Sequence, residues 1–135
     1  MKTAIYPGSF DPITLGHLNI IKRAANCFDR LIICVMINVE KHHLFSAEKR
    51  AEMVSRVTSS LGNVEVDIFD GLLSDYAREK GATIVVKGLR AATDFEKEFQ
   101  MALINRRLNP HLETMFLTAS EKYMYLSSSA IKELA

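Results

Sequence analysis

Two stretches of this chain combine residue types that can hold an anion. The first, Tyr6-Pro7-Gly8-Ser9-Phe10-Asp11-Pro12-Ile13-Thr14-Leu15-Gly16-His17, follows a short apolar run. Its glycines let backbone amides come close to a ligand, and His17 falls near the start of a helix. There, exposed N–H groups and the positive end of the helix dipole favour phosphate, and the imidazole adds a donor. A lone histidine is more often structural than catalytic, so the weight rests on the whole string. The second stretch, Lys87-Gly88-Leu89-Arg90, reads as a compact cationic turn ahead of a helix opened by residues 91–94. Arg90 can grip a phosphate with two parallel donors where a lysine supplies a point charge.

Three further segments are weaker taken singly. Lys41, in N-V-E-K-H-H-L-F at 38–45, stands just past an apolar strand and could reach over a sheet edge to a phosphate; a solvated loop lysine is the alternative, and His42 and His43 read as loop residues. Asp94, Glu98 and Met101 fall on one helical stripe, directed either to the site or to solvent. Residues 120–133 read S-E-K-Y-M-Y-L-S-S-S-A-I-K-E, where three serines at a helix start offer hydroxyls and amides to an anion or simply cap the helix.

These segments must be placed by regular elements. Apolar and alternating runs at 3–6, 31–39, 64–69, 83–86 and 114–117 predict five strands. Between them lie helical spacings: Leu18, Ile21, Ala25 and Phe28; then Ala51, Val54 and Val57 after an N-cap at Ser46; then residues 72–80 closed by Gly81. A fourth runs through Phe95, Phe99, Ala102 and Leu103, and Ser127 or Ser128 could cap a fifth. Strand and helix alternate, as in a parallel sheet with right-handed crossovers and helices on both faces. In such a sheet ligands bind beyond the carboxyl ends of the strands, which is where all but the third of these strands lead into the segments above.

The composition narrows the partners. With 17 basic and 16 acidic residues the net charge is +1, so an anion site must be local, and no basic stripe with interleaved aromatics suggests nucleic acid. No apolar run approaches the ~20 residues of a membrane span, and no signal core follows Met1. Cys27 and Cys34 have neither metal-ligand spacing nor a C-x-x-C arrangement and read as buried free thiols of a cytoplasmic protein.

Taken together, the strings resemble those of the phosphopantetheine adenylyltransferases, nucleotidyltransferases with a T/H-x-G-H motif. G-S-F-D-P-I-T-L-G-H at 8–17 is similar to their G-x-F-D-P-x-T-x-G-H, and D-F-E-K-E at 94–98 to their D-F-E-x-E. K-G-L-R at 87–90 is similar to their R-G-L-R with lysine for the first arginine, and L-S-S-S-A-I-K-E at 126–133 to I-S-S-S-x-x-K/R-E with leucine for isoleucine. The resemblance spans essentially the whole chain. It implies a Rossmann-like, doubly wound, five-stranded parallel α/β sheet as a single domain over 1–135, ending short of the C-terminal helix many members carry.

The same resemblance implies that ATP and 4′-phosphopantetheine give dephospho-CoA and pyrophosphate. By carry-over, His17 stabilises the α-phosphoryl oxygens, Lys41 and Arg90 neutralise phosphates, and Ser9, where members often have threonine, orients the attacking phosphate. ATP would meet Ser9, Phe10, His17, Gly88, Leu89, Arg90 and Glu98, with Tyr123, Met124, Tyr125, Leu126, Ser127, Ser128 and Ser129 along the nucleotide. The acceptor would meet Ser9, Lys41, Leu73 and Lys87, although an ordinary core leucine is the alternative for Leu73. Mg2+ would arrive with ATP, held by phosphates and water and by no protein metal site. The family further implies a homohexamer and feedback inhibition by coenzyme A. Rival readings are another adenylyl- or cytidylyltransferase of the same fold, such as one acting on nicotinate mononucleotide, and a nucleotide-binding sensor without turnover.

Overall fold

The apolar run at 31–35, rich in β-branched residues, is buried on both sides, and that dictates a central strand with helices packed on each face. The computed structural model describes residues 1–37, 42–90 and 92–119, and in it β1(Thr3–Gly8), α1(Leu15–Ala25), β2(Arg30–Met36), α2(Ala47–Thr58), β3(Val64–Phe69), α3(Leu73–Lys80), β4(Ile84–Leu89), α4(Ala92–Leu108) and β5(Glu113–Thr118) follow in order. The five strands form one sheet, every pairing parallel, in the order β3-β2-β1-β4-β5. The chain therefore reverses direction across the sheet at β1. The crevice between the carboxyl ends of β1 and β4 is the switch point where an open sheet binds its ligand.

Side-chain alternation sorts the core. Ala4 and Tyr6 of β1, Leu31, Ile33 and Val35 of β2 and Val86 of β4 pack with Ile20, Ile21 and Ala24 of α1 and Val54 of α2. Ile5, Ile32, Cys34 and Val85 face the other way, against Tyr76 and Ala77 of α3 and Leu112. α4 lies on that second face beside α3, tied by Asn109 Nδ2 to the Ser74 carbonyl at 3.2 Å and by Arg78 Nη2 to the Leu108 carbonyl at 3.1 Å.

The helix ends follow their local chemistry. Thr14 and Ser46 cap α1 and α2 with side-chain oxygens, and Gly81 closes α3 in the left-handed region at φ 69°. Several boundaries differ from the sequence expectations. β1 continues through Pro7 to Gly8, because Pro7 keeps an extended backbone opposite Cys34. α1 stops at Ala25, so Phe28 joins the core from the following loop. On α2 the buried stripe is Arg50, Val54 and Thr58, while Val57 is exposed. Cys34 is buried and its thiol is pushed up to about 12 by burial and then by Asp67, but Cys27, expected buried, is exposed after α1.

One correction bears on the site. Lys87, Gly88 and Leu89 do not form a turn; they are the last residues of β4, paired with Phe116, Leu117 and Thr118 of β5. Arg90 is the first residue beyond the strand.

Candidate active site at the switch point

The loop leaving β1 is built around Phe10. Its backbone takes φ 48°, which costs an L-residue about 1–2 kcal/mol, and its buried ring offsets that by packing edge-on against Tyr6 at 5.3 Å and His17 at 5.0 Å. A Cβ at Gly8 would stand 3.1 Å from this ring. Gly8 thus makes room for Phe10, whose ring, expected at the nucleotide, is buried within the loop.

His17 is the third residue of α1 and reaches back over the helix start. The Thr14 N–H donates to His17 Nδ1 at 3.0 Å, while the His17 N–H donates to Thr14 Oγ1 at 3.1 Å, a reciprocal cap. An Nδ1 that accepts fixes the neutral tautomer with its proton on Nε2. The charge state agrees: burial, and then the charge of Arg90, lower the imidazole to about 4. The ring is a neutral, oriented donor. The same Arg90 charge acts on the buried Tyr6, whose hydroxyl burial pushes up, so the guanidinium beyond β4 stands within electrostatic reach of the β1 side of the crevice.

Lys87 and Gly88 point to opposite faces of β4. Lys87 Nζ pairs with Glu98 Oε2 of α4 at 3.3 Å, both side chains about three-quarters buried, so the structure brings these two expected contacts together as a pair. Glu98 therefore faces the sheet rather than solvent. A Cβ at Gly88 would lie 3.3 Å from Ile20 Cγ1, so this glycine lets α1 settle close on the strand. The Leu89 carbonyl accepts the Ala119 N–H at 2.8 Å, holding the end of β5 to β4. Leu73, half-buried at the start of α3, packs against the core cluster that includes Ile32, Cys34 and Tyr76, as do Met36 and Phe69.

Ser9 lies at the crevice, half-buried, its carbonyl accepting from Arg50 Nη1 at 2.8 Å. Two residues that sequence reading did not single out organise this corner. Asp11 is buried, and its carboxylate accepts the Leu44 and Phe45 N–H groups at 2.7 and 2.9 Å, with His43 Nδ1 at 3.4 Å. Arg50 is 1% exposed and bonds three carbonyls. The signal for Arg50 lay four and eight residues before Val54 and Thr58, on the stripe that turns inward. Lys41 and the run Tyr123, Met124, Tyr125, Leu126, Ser127, Ser128 and Ser129 lie outside the described residues, as does Ala91.

A parallel sheet with this strand order, a helix start carrying a neutral histidine donor beyond β1 and an arginine beyond β4, defines the class: a nucleotide-binding α/β domain of the nucleotidyltransferase type. The cytidylyltransferase-like family model matches residues 5–134. Solved structures sharing the fold include a bifunctional NMN adenylyltransferase/ADP ribose pyrophosphatase from Francisella tularensis (TM-score 0.71, 16% identity, covering 98% of this chain and 41% of that one). Another is the nicotinic acid mononucleotide adenylyltransferase of Plasmodium falciparum complexed with NaAD (TM-score 0.67, 13% identity, 98% and 83% covered). At the sequence level the chain is 58% identical over 135 residues to the phosphopantetheine adenylyltransferase of Caldanaerobacter subterraneus subsp. tengcongensis, covering all of this chain and 84% of that protein. A Clostridium botulinum phosphopantetheine adenylyltransferase is 56% identical, with 82% of its length covered. The chain belongs to the phosphopantetheine adenylyltransferase family, within the cytidylyltransferase-like fold.

Proposed function

We propose that this chain transfers AMP from ATP to 4′-phosphopantetheine, giving dephospho-CoA and pyrophosphate. The observation that carries the reading is His17, oriented by the Thr14 N–H so that Nε2 carries the proton at the start of α1 beyond β1, with Arg90 the first residue beyond the neighbouring β4. In the reaction an oxygen of the acceptor phosphate attacks the α-phosphorus in line. The bond from that phosphorus to the bridging oxygen breaks, and pyrophosphate leaves with the electron pair. The nucleophile is already ionised near neutral pH, so the protein need not take a proton from it. Its task is to position both phosphates and to balance charge as it shifts to the equatorial and leaving oxygens.

In this scheme His17 Nε2–H donates to an α-phosphoryl oxygen, and Arg90 and Lys41 neutralise the phosphates. Ser9 orients the acceptor phosphate, with Lys87 beside it and Leu73 along the pantetheine arm. Glu98, the backbone of Phe10, Gly88 and Leu89, and residues 123–129 serve the nucleotide. Mg2+ would accompany the triphosphate, ligated by its phosphates and by water, and would supply charge neutralisation there. The enzyme works in the cytoplasm as a homohexamer and is inhibited by coenzyme A; among the described residues no helix is long and apolar enough to cross a membrane.

Mass spectrometry of the products tests the reading. Incubation with Mg-ATP and 4′-phosphopantetheine should yield dephospho-CoA, and pyrophosphate with dephospho-CoA should return ATP. A dinucleotide made from nicotinate mononucleotide, with no dephospho-CoA, would assign the chain to the rival chemistry of its fold neighbours.

A further inference from the structure

Among the described residues the Arg50 guanidinium bonds backbone carbonyls rather than a carboxylate. It leaves the first turn of α2 and runs inward until it is 1% exposed. Nε donates to the Phe45 carbonyl at 3.1 Å, and Nη1 donates to the Ser9 carbonyl at 2.8 Å and the Met36 carbonyl at 3.1 Å. Those carbonyls belong to three places: the first residue after β1, the last residue of β2, and the residue before the Ser46 cap of α2. A rigid fork of donors can hold three acceptors in fixed directions, which a rotating ammonium cannot. A charge this deeply buried requires such bonds, because removing it from water is costly.

We propose that Arg50 is a positioning residue for transfer: it fixes the Ser9 backbone against the ends of β2 and the start of α2, and so sets where the Ser9 hydroxyl meets the acceptor phosphate. The inference rests on the adenylyltransferase reading above. Arg50 acts through Ser9 and touches no reactant. Among the described residues the Ser9 hydroxyl has no protein partner, so the carbonyl bond to Arg50 is the side-chain contact that locates it. Misplacement of a reacting group by about 1 Å can slow a positioned reaction about a hundredfold.

The test is steady-state kinetics of the full chain with Mg-ATP and 4′-phosphopantetheine. The variants are Arg50→Lys, Ser9→Ala and the two combined, with folding checked by circular dichroism and thermal melting. Arg50→Lys keeps the stem and the charge but loses the fork. It should lower kcat by about tenfold or more with the KM for ATP changed less than about threefold, and in the Ser9→Ala background it should cost little further. Unchanged kcat in folded Arg50→Lys, additive losses in the double variant, or failure of Arg50→Lys to fold would each overturn the proposal and leave Arg50 a structural residue. An unaltered chain that releases no pyrophosphate with the acceptor would sink the adenylyltransferase reading itself; an active chain with indifferent variants sinks this inference alone.

Discussion

His17 acts as a donor because of what its other nitrogen does. With Nδ1 accepting from the Thr14 N–H, the proton sits on Nε2, and burial together with Arg90 keeps the ring neutral down to about pH 4. His17→Ala should lower kcat by about 10²–10³ while leaving the KM for ATP within a few-fold, as expected for a contact that strengthens in the transition state. His17→Gln, which retains an N–H, should lose less. In kcat/KM, which reports groups of the free enzyme, no inflection from His17 should appear between pH 6 and 8. A break near 6.5 that vanishes in His17→Gln would contradict the assigned charge state. Stability follows with a definite sign: between about pH 6.5 and 4 the unfolded chain binds a proton at this ring that the folded protein does not, so stability falls as pH drops through that window. Melting curves from pH 7 to 4.5 should show that fall, and it should be shallower in His17→Gln.

At the scale of the elements, the close seating of α1 on β4 aligns the helix start with the crevice. Gly88→Ala places a Cβ 3.3 Å from Ile20 Cγ1, and overpacking of this kind costs about 1–3 kcal/mol. Denaturant unfolding should show that loss, and Ile20→Val in the same chain should recover part of it; full additivity would mean the two do not share the space. This seating also marks where the sequence stopped being legible. The strands at 64–69 and 114–117, the Ser46 cap and the Gly81 stop could be read because each depends on a few neighbouring residues. K-G-L-R reads locally as a turn, but the pairing that makes Lys87, Gly88 and Leu89 strand comes from β5, more than twenty residues on. Ser9, His17 and Arg90 can be singled out as candidates by type and place, whereas Arg50 and Asp11 cannot, since a buried charge bonded to distant backbone leaves only a faint trace in helical spacing. The pairing of Lys87 with Glu98 needed the approach of α4 to β4 and could not be read from either segment.

For the whole molecule, α4 carries apolar side chains beyond those that meet the sheet. Phe99, Leu103 and Ile104 are 46%, 55% and 54% exposed, and Phe95 stacks on Phe99 at 5.6 Å. A face of this kind marks an interaction surface, and with the proposed homo-oligomer it makes a testable case. Sedimentation velocity at micromolar concentration should show a species larger than one 15.2 kDa chain, and Leu103→Glu should shift it toward the monomer without abolishing the fold. Assembly is secondary to the chemistry, which one assay addresses directly: pyrophosphate release from Mg-ATP by the purified chain, with 4′-phosphopantetheine, with nicotinate mononucleotide, and with no acceptor. The account predicts release that depends on 4′-phosphopantetheine and stays at background in the other two. Binding of ATP with no release for any acceptor, or release driven by nicotinate mononucleotide, would contradict it.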